Sequence, residues 1–335
     1  MGGATLPVAV DAMGGDHAPE VIVAGAVQAS REGLPVTLVG DEARLHALLP
    51  ADAGVGVVHA PDAIGMDEAP GSLRHREGAS IRVALDLVSR GEACAAVSCG
   101  NSGAILVAAI LDGGVLPGVD RPAIGTVLPR SDGGRLVLVD AGANVDVRPE
   151  QLARFALLGA AYAQALGVGA PRVGLLSNGE EPGKGNEQVR AAADLLATLP
   201  VDWVGNVEPP AAFAGACDVL VCDGFVGNVM LKTVEGAAET VWALMKEEIR
   251  RHPSARLGAW LLQRALRRFR ARVAWDAQGG GVLLGCQEII VVGHGRANPA
   301  AVHSAIALAH RAAREGLVEH LRRRLSVPES ATPRG

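Results

Sequence analysis

One pattern recurs along this chain: a short apolar or β-branched run, a loop rich in Gly, Asn and Asp, then a stretch with helical spacing. It appears as VAVDAMGGDHAP from Val8, AAVSCGNSGA from Ala95, LVLVDAGANVD from Leu136, VGLLSNGEEPGKGN from Val173, VLVCDGFVGN from Val219 and IIVVGHGRAN from Ile289. Buried runs joined by helix-length returns are the mark of crossover-connected parallel strands. The expected fold is therefore α/β, an open, mostly parallel sheet flanked by helices. It forms a single unit over residues 1–325, with two lobes around a cleft, followed by a disordered tail over 326–335 that carries two prolines and no apolar period. Apolar spacing and caps predict helices over Pro19–Ser30, Ser80–Arg90, Ala104–Leu111, Pro149–Leu166, Glu187–Leu199, Met230–Arg251 and Pro299–Glu315. Loops leaving the carboxyl ends of parallel strands line one crevice, where ligands bind, so the six loops are expected to converge.

Composition narrows the function. With one Tyr, four Phe and four Trp, the chain has little with which to stack on bases, and a formal charge of −5 argues against a nucleic-acid partner. Five cysteines without a C-x-x-C pair indicate neither a disulfide framework nor a zinc site, and no metal is expected. The start, MGGATLPVAVDAMGGD, has no basic region before an apolar stretch, and no apolar run approaches the ~20 residues of a membrane span. A cytoplasmic location is the expectation.

The polar residues are placed selectively. Of 31 basic residues only three are lysines, Lys184, Lys232 and Lys246, and two of these lie in or just beyond strand-exit loops, where a compact point charge is useful. All seven asparagines fall in or beside such loops and helix starts, where they either cap helices or offer amide hydrogens to an anion. The best phosphate candidate is CGNSGAILVAAIL: its glycines let backbone approach closely, Asn101 and Ser102 add donors, and a helix then begins. GEEPGKGN lacks the Ser or Thr that follows a P-loop lysine, and GHGRAN lacks the second strand and acid of a dinucleotide site. Asp11, Asp140 and Asp223 end strands, where carboxylates cap the next helix or orient a Lys or Asn. Cys99 reads as a small core residue beside the GNSG turn.

From Lys246 to Arg272 nine basic residues face two acids, inverting the sign of the whole chain. Leu257, Leu261, Leu262, Leu266, Phe269 and Val273 form a helical stripe near Trp260, while Arg264, Arg267 and Arg268 share another side. This protruding amphipathic segment over 246–273 suits an anionic membrane, an acidic protein partner or a dimer.

Taken together, DAMGGDHAPE, SCGNSGA, VDAGANVD, SNGEEPGKGNE, GNVE, CDGFVGNVMLKTVEG and LLGCQEIIVVGHG resemble the PlsX-type phosphate acyltransferases, the acyl-[acyl-carrier-protein]:phosphate transacylases of bacterial phospholipid synthesis, from about Val8 to Ala309. The resemblance implies transfer of a long acyl chain from acyl-carrier protein to inorganic phosphate, giving acyl phosphate for a membrane glycerol-3-phosphate acyltransferase. It also implies a homodimer, no cofactor beyond the phosphopantetheine-linked substrate, and a fold similar to phosphotransacetylases and isocitrate/isopropylmalate dehydrogenases. Cys99, Ser102, Pro209, Pro210 and Arg296 depart from the family's usual residues.

Such a reaction needs cations and N–H donors placed around an anion and a developing oxyanion. Lys184, Asn101, the Ser102 and Gly103 amides, Asn144, Asn228 and Lys232 are expected to supply them, with Asp11, Asp140 and Asp223 orienting the donors. Glu180 or Glu181 would hold Lys184 or pass a proton, and His17 would serve the departing thiolate. Arg264, Arg267 and Arg268 with Trp260 and Leu261 would meet the acidic carrier, the membrane or the second subunit. A phosphotransacetylase acting on acetyl-coenzyme A and a non-enzymatic membrane-surface scaffold are the alternatives.

Overall fold

The structure, a computed structural model, describes residues 6–266, 269 and 279–325. The expected tail over 326–335 and the predicted surface residues Arg267 and Arg268 lie outside the described residues.

All six expected strand runs are strands: β1 (Val8–Asp11), β4 (Ala95–Ser98), β6 (Arg135–Val139), β7 (Arg172–Leu176), β9 (Val219–Val221) and β11 (Ile290–Val292). They are joined by β2 (Val36–Gly40), β3 (Gly56–His59), β5 (Ala123–Pro129), β8 (Asp202–Val207) and β10 (Gly281–Leu284). The sheet runs β3-β2-β1-β4-β11-β10-β5-β6-β9-β7-β8. Its outer ladders are parallel, but β10 is antiparallel to both β11 and β5, and β5 to β6. Three successive reversals leave the β6-β9-β7-β8 set pointing opposite to the β3-β2-β1-β4-β11 set.

The register decides what this does. Ser98 lies beside Val292, Val292 beside Gly281, Val282 beside Gly125, and Gly125 beside Val139. The carboxyl ends of the two opposed sets therefore stop at the same level of the sheet and face one another across β10 and β5. One crevice serves both lobes for that reason.

Strand residues divide between the two faces with period two. Val137 and Val139 enter one core, with Val10, Ile22 of helix α1 (Glu20–Arg31), Phe155 of the Pro149–Ala165 helix, and Ile306 of the Pro299–Arg314 helix. Leu136 and Leu138 enter the other, with Ile81, Leu85 and Ile105.

The helix beginning near Met230 starts earlier than its spacing predicts, spanning Gly224–Arg251. Asp223 caps it, accepting the Val226 N–H at 2.8 Å, and Gly224 and Gly227 interrupt the apolar spacing of the first turn. The basic segment is not one helix. His252 is extended before Pro253, as a residue preceding proline prefers, and a second helix runs Pro253–Leu261. Trp260, Leu261 and Arg264 are exposed.

Candidate functional site

Where the opposed strand ends meet lies a cavity of about 210 Å³. Six of its sixteen lining residues are glycines (100, 142, 280, 281, 293 and 295) and none is an acid, so backbone can approach an anion without carboxylate repulsion.

The wall after β4 is the GNSG turn. Asn101 caps the Ser102–Ala108 helix, its Oδ1 accepting from the Gly103 and Ala104 amides, while its Nδ2 donates to the Met66 and Glu68 carbonyls at 3.2 and 3.0 Å. Both ends of Asn101, and the Gly103 N–H, are thus engaged in holding the turn. Ser102 lines the cavity. Beneath the turn Asp11, 4% exposed, accepts 2.6 Å hydrogen bonds from the Ser80 and Ser98 hydroxyls, and the Gly100 N–H donates to Ser98 Oγ. Burial raises the Asp11 carboxyl, and the two hydroxyls oppose that rise. Asp11 positions the turn and does not line the cavity.

The wall after β6 is organised by Asp140, which is fully buried. Its Oδ1 accepts the amides of Ile124, Gly142 and Ala143, and its Oδ2 those of Asn144, backbone and side chain. Asn144 donates its remaining amide hydrogen to the Pro122 carbonyl at 2.8 Å, so its side-chain donors brace the loop instead of facing the cavity. The Gly224–Arg251 helix lies directly against this loop. A β-carbon on Gly227 would collide with the Asp140 carbonyl, and one on Gly224 would come within 2.7 Å of the Asn144 carbonyl oxygen.

That close approach delivers the site's donors. Asn228, Leu231 and Lys232, at positions i, i+3 and i+4 of one helix face, line the cavity. Among the described residues the side chains of Asn228 and Lys232 make neither a hydrogen bond nor an ion pair. One turn further, Glu235 Oε1 lies 3.2 Å from Nε2 of His294, which enters the cavity from the loop after β11. Thr126, 5% exposed, completes the floor.

Four of the six expected loops line this cavity. The β1 loop packs behind it, the Asp16 N–H donating to the Gly295 carbonyl at 2.8 Å, with His17 exposed and outside the lining. The β7 loop stands two strands from β6, about 10 Å along the sheet. Lys184 and Glu181 are exposed there, their side chains lying over Gly179, and neither lines the cavity. Asp223 caps its helix. The buried Cys99 thiol is pushed up to about 12, chiefly by burial and then by Asp11, so it stays protonated near neutral pH. Among the described residues no three His, Cys, Asp or Glu side chains are grouped to hold a metal. The His294–Glu235 pair and Thr126 were not among the predicted site residues.

The sequence of residues 6–320 matches the family model described as fatty acid synthesis protein. The chain is 49% identical over 324 residues to a phosphate acyltransferase of Thermus thermophilus, covering 96% of this chain and 99% of that one. It is 44% identical over 333 residues to that of Geobacter sulfurreducens, covering 97% and 96%. In fold it is similar to a phosphotransacetylase from Streptococcus pyogenes (TM-score 0.62, 18% identity, 92% and 94% covered). It is also similar to a 4-hydroxythreonine-4-phosphate dehydrogenase from Klebsiella pneumoniae (TM-score 0.54, 16% identity, 92% and 99% covered). Both likenesses agree with the expected α/β fold, an open, mostly parallel sheet flanked by helices.

Proposed function

This chain belongs to the fatty acid synthesis protein family and is a phosphate acyltransferase; from that premise we propose that it moves a long-chain acyl group from the thioester of acyl-carrier protein to inorganic phosphate. A phosphate oxygen attacks the thioester carbonyl carbon, the C–O bond forms, the C–S bond breaks, and acyl phosphate and the carrier thiol leave. Phosphate is anionic near neutral pH and a thiol of pKa about 8.5 departs readily, so the protein's work is alignment and charge stabilisation. No cofactor enters this scheme.

The observation that carries the reading is an ammonium and an amide, Lys232 and Asn228, that among the described residues have no partner and face a glycine-lined cavity without carboxylates. Lys232 and Asn228 would hold phosphate, and Ser102 would meet the oxyanion. His294, held by Glu235, would return a proton to the thiolate in place of His17. Lys184 and Glu181, two strands out, would meet the incoming thioester arm. Asp11, Asp140 and Asp223 shape the loops, with Asn101, Gly103 and Asn144 beside them.

The exposed Trp260, Leu261 and Arg264 are proposed to meet the acidic carrier, an anionic membrane surface or a second subunit. Among the described residues no helix is long and apolar enough to cross a membrane. The deciding measurement is carrier-thiol release from palmitoyl-carrier protein with and without phosphate, acetyl-coenzyme A serving as control. Phosphate-dependent release from the carrier thioester is expected; release from acetyl-coenzyme A alone would transfer the chain to phosphotransacetylase chemistry.

A further inference from the structure

Successive residues of a strand face opposite sides of its sheet. On β5 Thr126 lines the cleft just described, whereas Val127 lines a different cavity, of about 450 Å³, between the β5–β6 hairpin and the helices Pro149–Ala165 and Pro299–Arg314. That volume lies within the roughly 300–1,000 Å³ of small-molecule sites. The wall shared with the cleft is Gly280.

The lining divides into two parts. One is apolar: Val127, Leu166, Leu308 and the ring of Tyr162. The other is cationic: Arg135 and Arg311 sit at the rim, no carboxylate lines the cavity, and among the described residues neither arginine is ion-paired. Burial raises the Tyr162 phenol; Arg311 opposes that rise, Glu315 from outside the lining adds to it, and Arg135 opposes it less than either. The two cations line the same cavity, Arg135 from the β5–β6 hairpin and Arg311 from the Pro299–Arg314 helix. His303, also in the wall, is already held by Glu32 at 2.8 Å. Guanidinium groups left without carboxylates suit carboxylate or phosphate heads, and the apolar wall beside them gains only if a hydrocarbon covers it.

From this arrangement we propose that the cavity is a second binding site, separate from the catalytic cleft, for an amphipathic anion: an alkyl chain ending in a carboxylate or a phosphate. The head lies between Arg311 and Arg135, and the chain lies along Val127, Leu166 and Leu308.

The test is calorimetric titration of the full chain with decyl phosphate and with decanoate below their micelle concentrations, inorganic phosphate serving as the headgroup control. Saturable binding of at least one amphiphile is expected. The tighter of the two tells whether the natural head is a phosphate ester or a free carboxylate. Arg311→Ser should weaken binding by about tenfold or more, the scale of one charge-assisted contact. Ala307→Trp, which fills the cavity, should abolish it. Arg311→Lys, which keeps the charge, should largely restore it, showing that the loss is not one of folding. Lys232→Ala, in the cleft, should leave it intact. No saturable binding of either amphiphile, equal binding of inorganic phosphate, or binding that vanishes with Lys232→Ala and survives Arg311→Ser would each overturn the proposal. None of these results depends on the thiol-release assay, so the two readings fail separately.

Discussion

Two lysines illustrate how position separates residues that composition groups together. Lys232 lines the glycine-rich cavity with its charge unpaired among the described residues, whereas Lys184 is exposed two strands away. A charge-assisted contact contributes about 1.5–3 kcal/mol, so Lys232→Ala should raise the KM for phosphate by about tenfold to a hundredfold. Lys184→Ala should instead raise the KM for the acyl carrier; steady-state kinetics with each substrate varied in turn checks both, and a phosphate effect confined to Lys184 would reverse the assignment. A second residue links structure to pH. Glu288, in the turn between β10 and β11, is raised to about 7, first by burial and then by Asp112 and Asp86. Its Oε2 is buried and has no hydrogen-bond partner among the described residues, although Arg82 neutralises Asp112 close by. A carboxyl whose folded pKa exceeds its unfolded one favours folding at low pH, and that contribution is lost as pH rises from about 4.5 through 7. Glu288→Gln should therefore flatten the decline in melting temperature between about pH 5 and pH 8, and the variant should gain on the parent at the alkaline end. An unchanged profile would show that Glu288 ionises freely.

Elements bring these residues together through close backbone approach. The first turn of the Gly224–Arg251 helix rests on the β6 loop because Gly224 and Gly227 carry no side chain. Gly227→Ala should push the helix off Asp140, costing about 1–3 kcal/mol or more and displacing Asn228 and Lys232 together. A fall in kcat larger than Asn228→Ala alone produces, accompanied by a lower melting temperature, is the expected pair of readouts. This contact also explains what was legible in the sequence. Strands β1, β4, β6, β7, β9 and β11 could be read because each is a buried run with a polar loop and a helix after it. Strands β5 and β10 could not, since turns and antiparallel partners follow them, and these two carry the reversal that makes the lobes face each other. Asn228 and Lys232 stood out as polar residues of a strand-exit loop. The His294–Glu235 pair did not, because it spans separate elements and needs the helix to begin at Gly224 before Asn228, Lys232 and Glu235 fall on one face. The asparagines divide by their hydrogen bonds, which spacing does not disclose: Asn101 and Asn144 are committed to carbonyls and carboxylate, and Asn228 is not.

At the scale of the molecule, charge is distributed against its net sign. The chain carries −5, yet Lys246, Arg250, Arg251, Arg256 and Arg264 follow one another along the exposed helical segment. Arg251 is partly offset by Glu247 and Glu248, but no ion pair holds Arg256 or Arg264 among the described residues. Beside them Leu257, Trp260 and Leu261 are each more than 60% exposed. A basic and apolar surface of this kind attracts an acidic protein at long range and an anionic bilayer at short range, and salt separates the contributions, since the Debye length is about 10 Å at 0.1 M. If the acidic carrier docks here, Arg256→Glu with Arg264→Glu should raise the KM for acyl-carrier protein severalfold at low salt, leave kcat and the KM for phosphate alone, and lose its effect as salt approaches about 1 M. Trp260→Ser should change that KM little but reduce cosedimentation with vesicles containing anionic lipid. Reversed charges that leave the carrier KM untouched while abolishing cosedimentation would assign the arginines to the bilayer, and the carrier would then have to approach the cleft from the β7 side, where Lys184 stands.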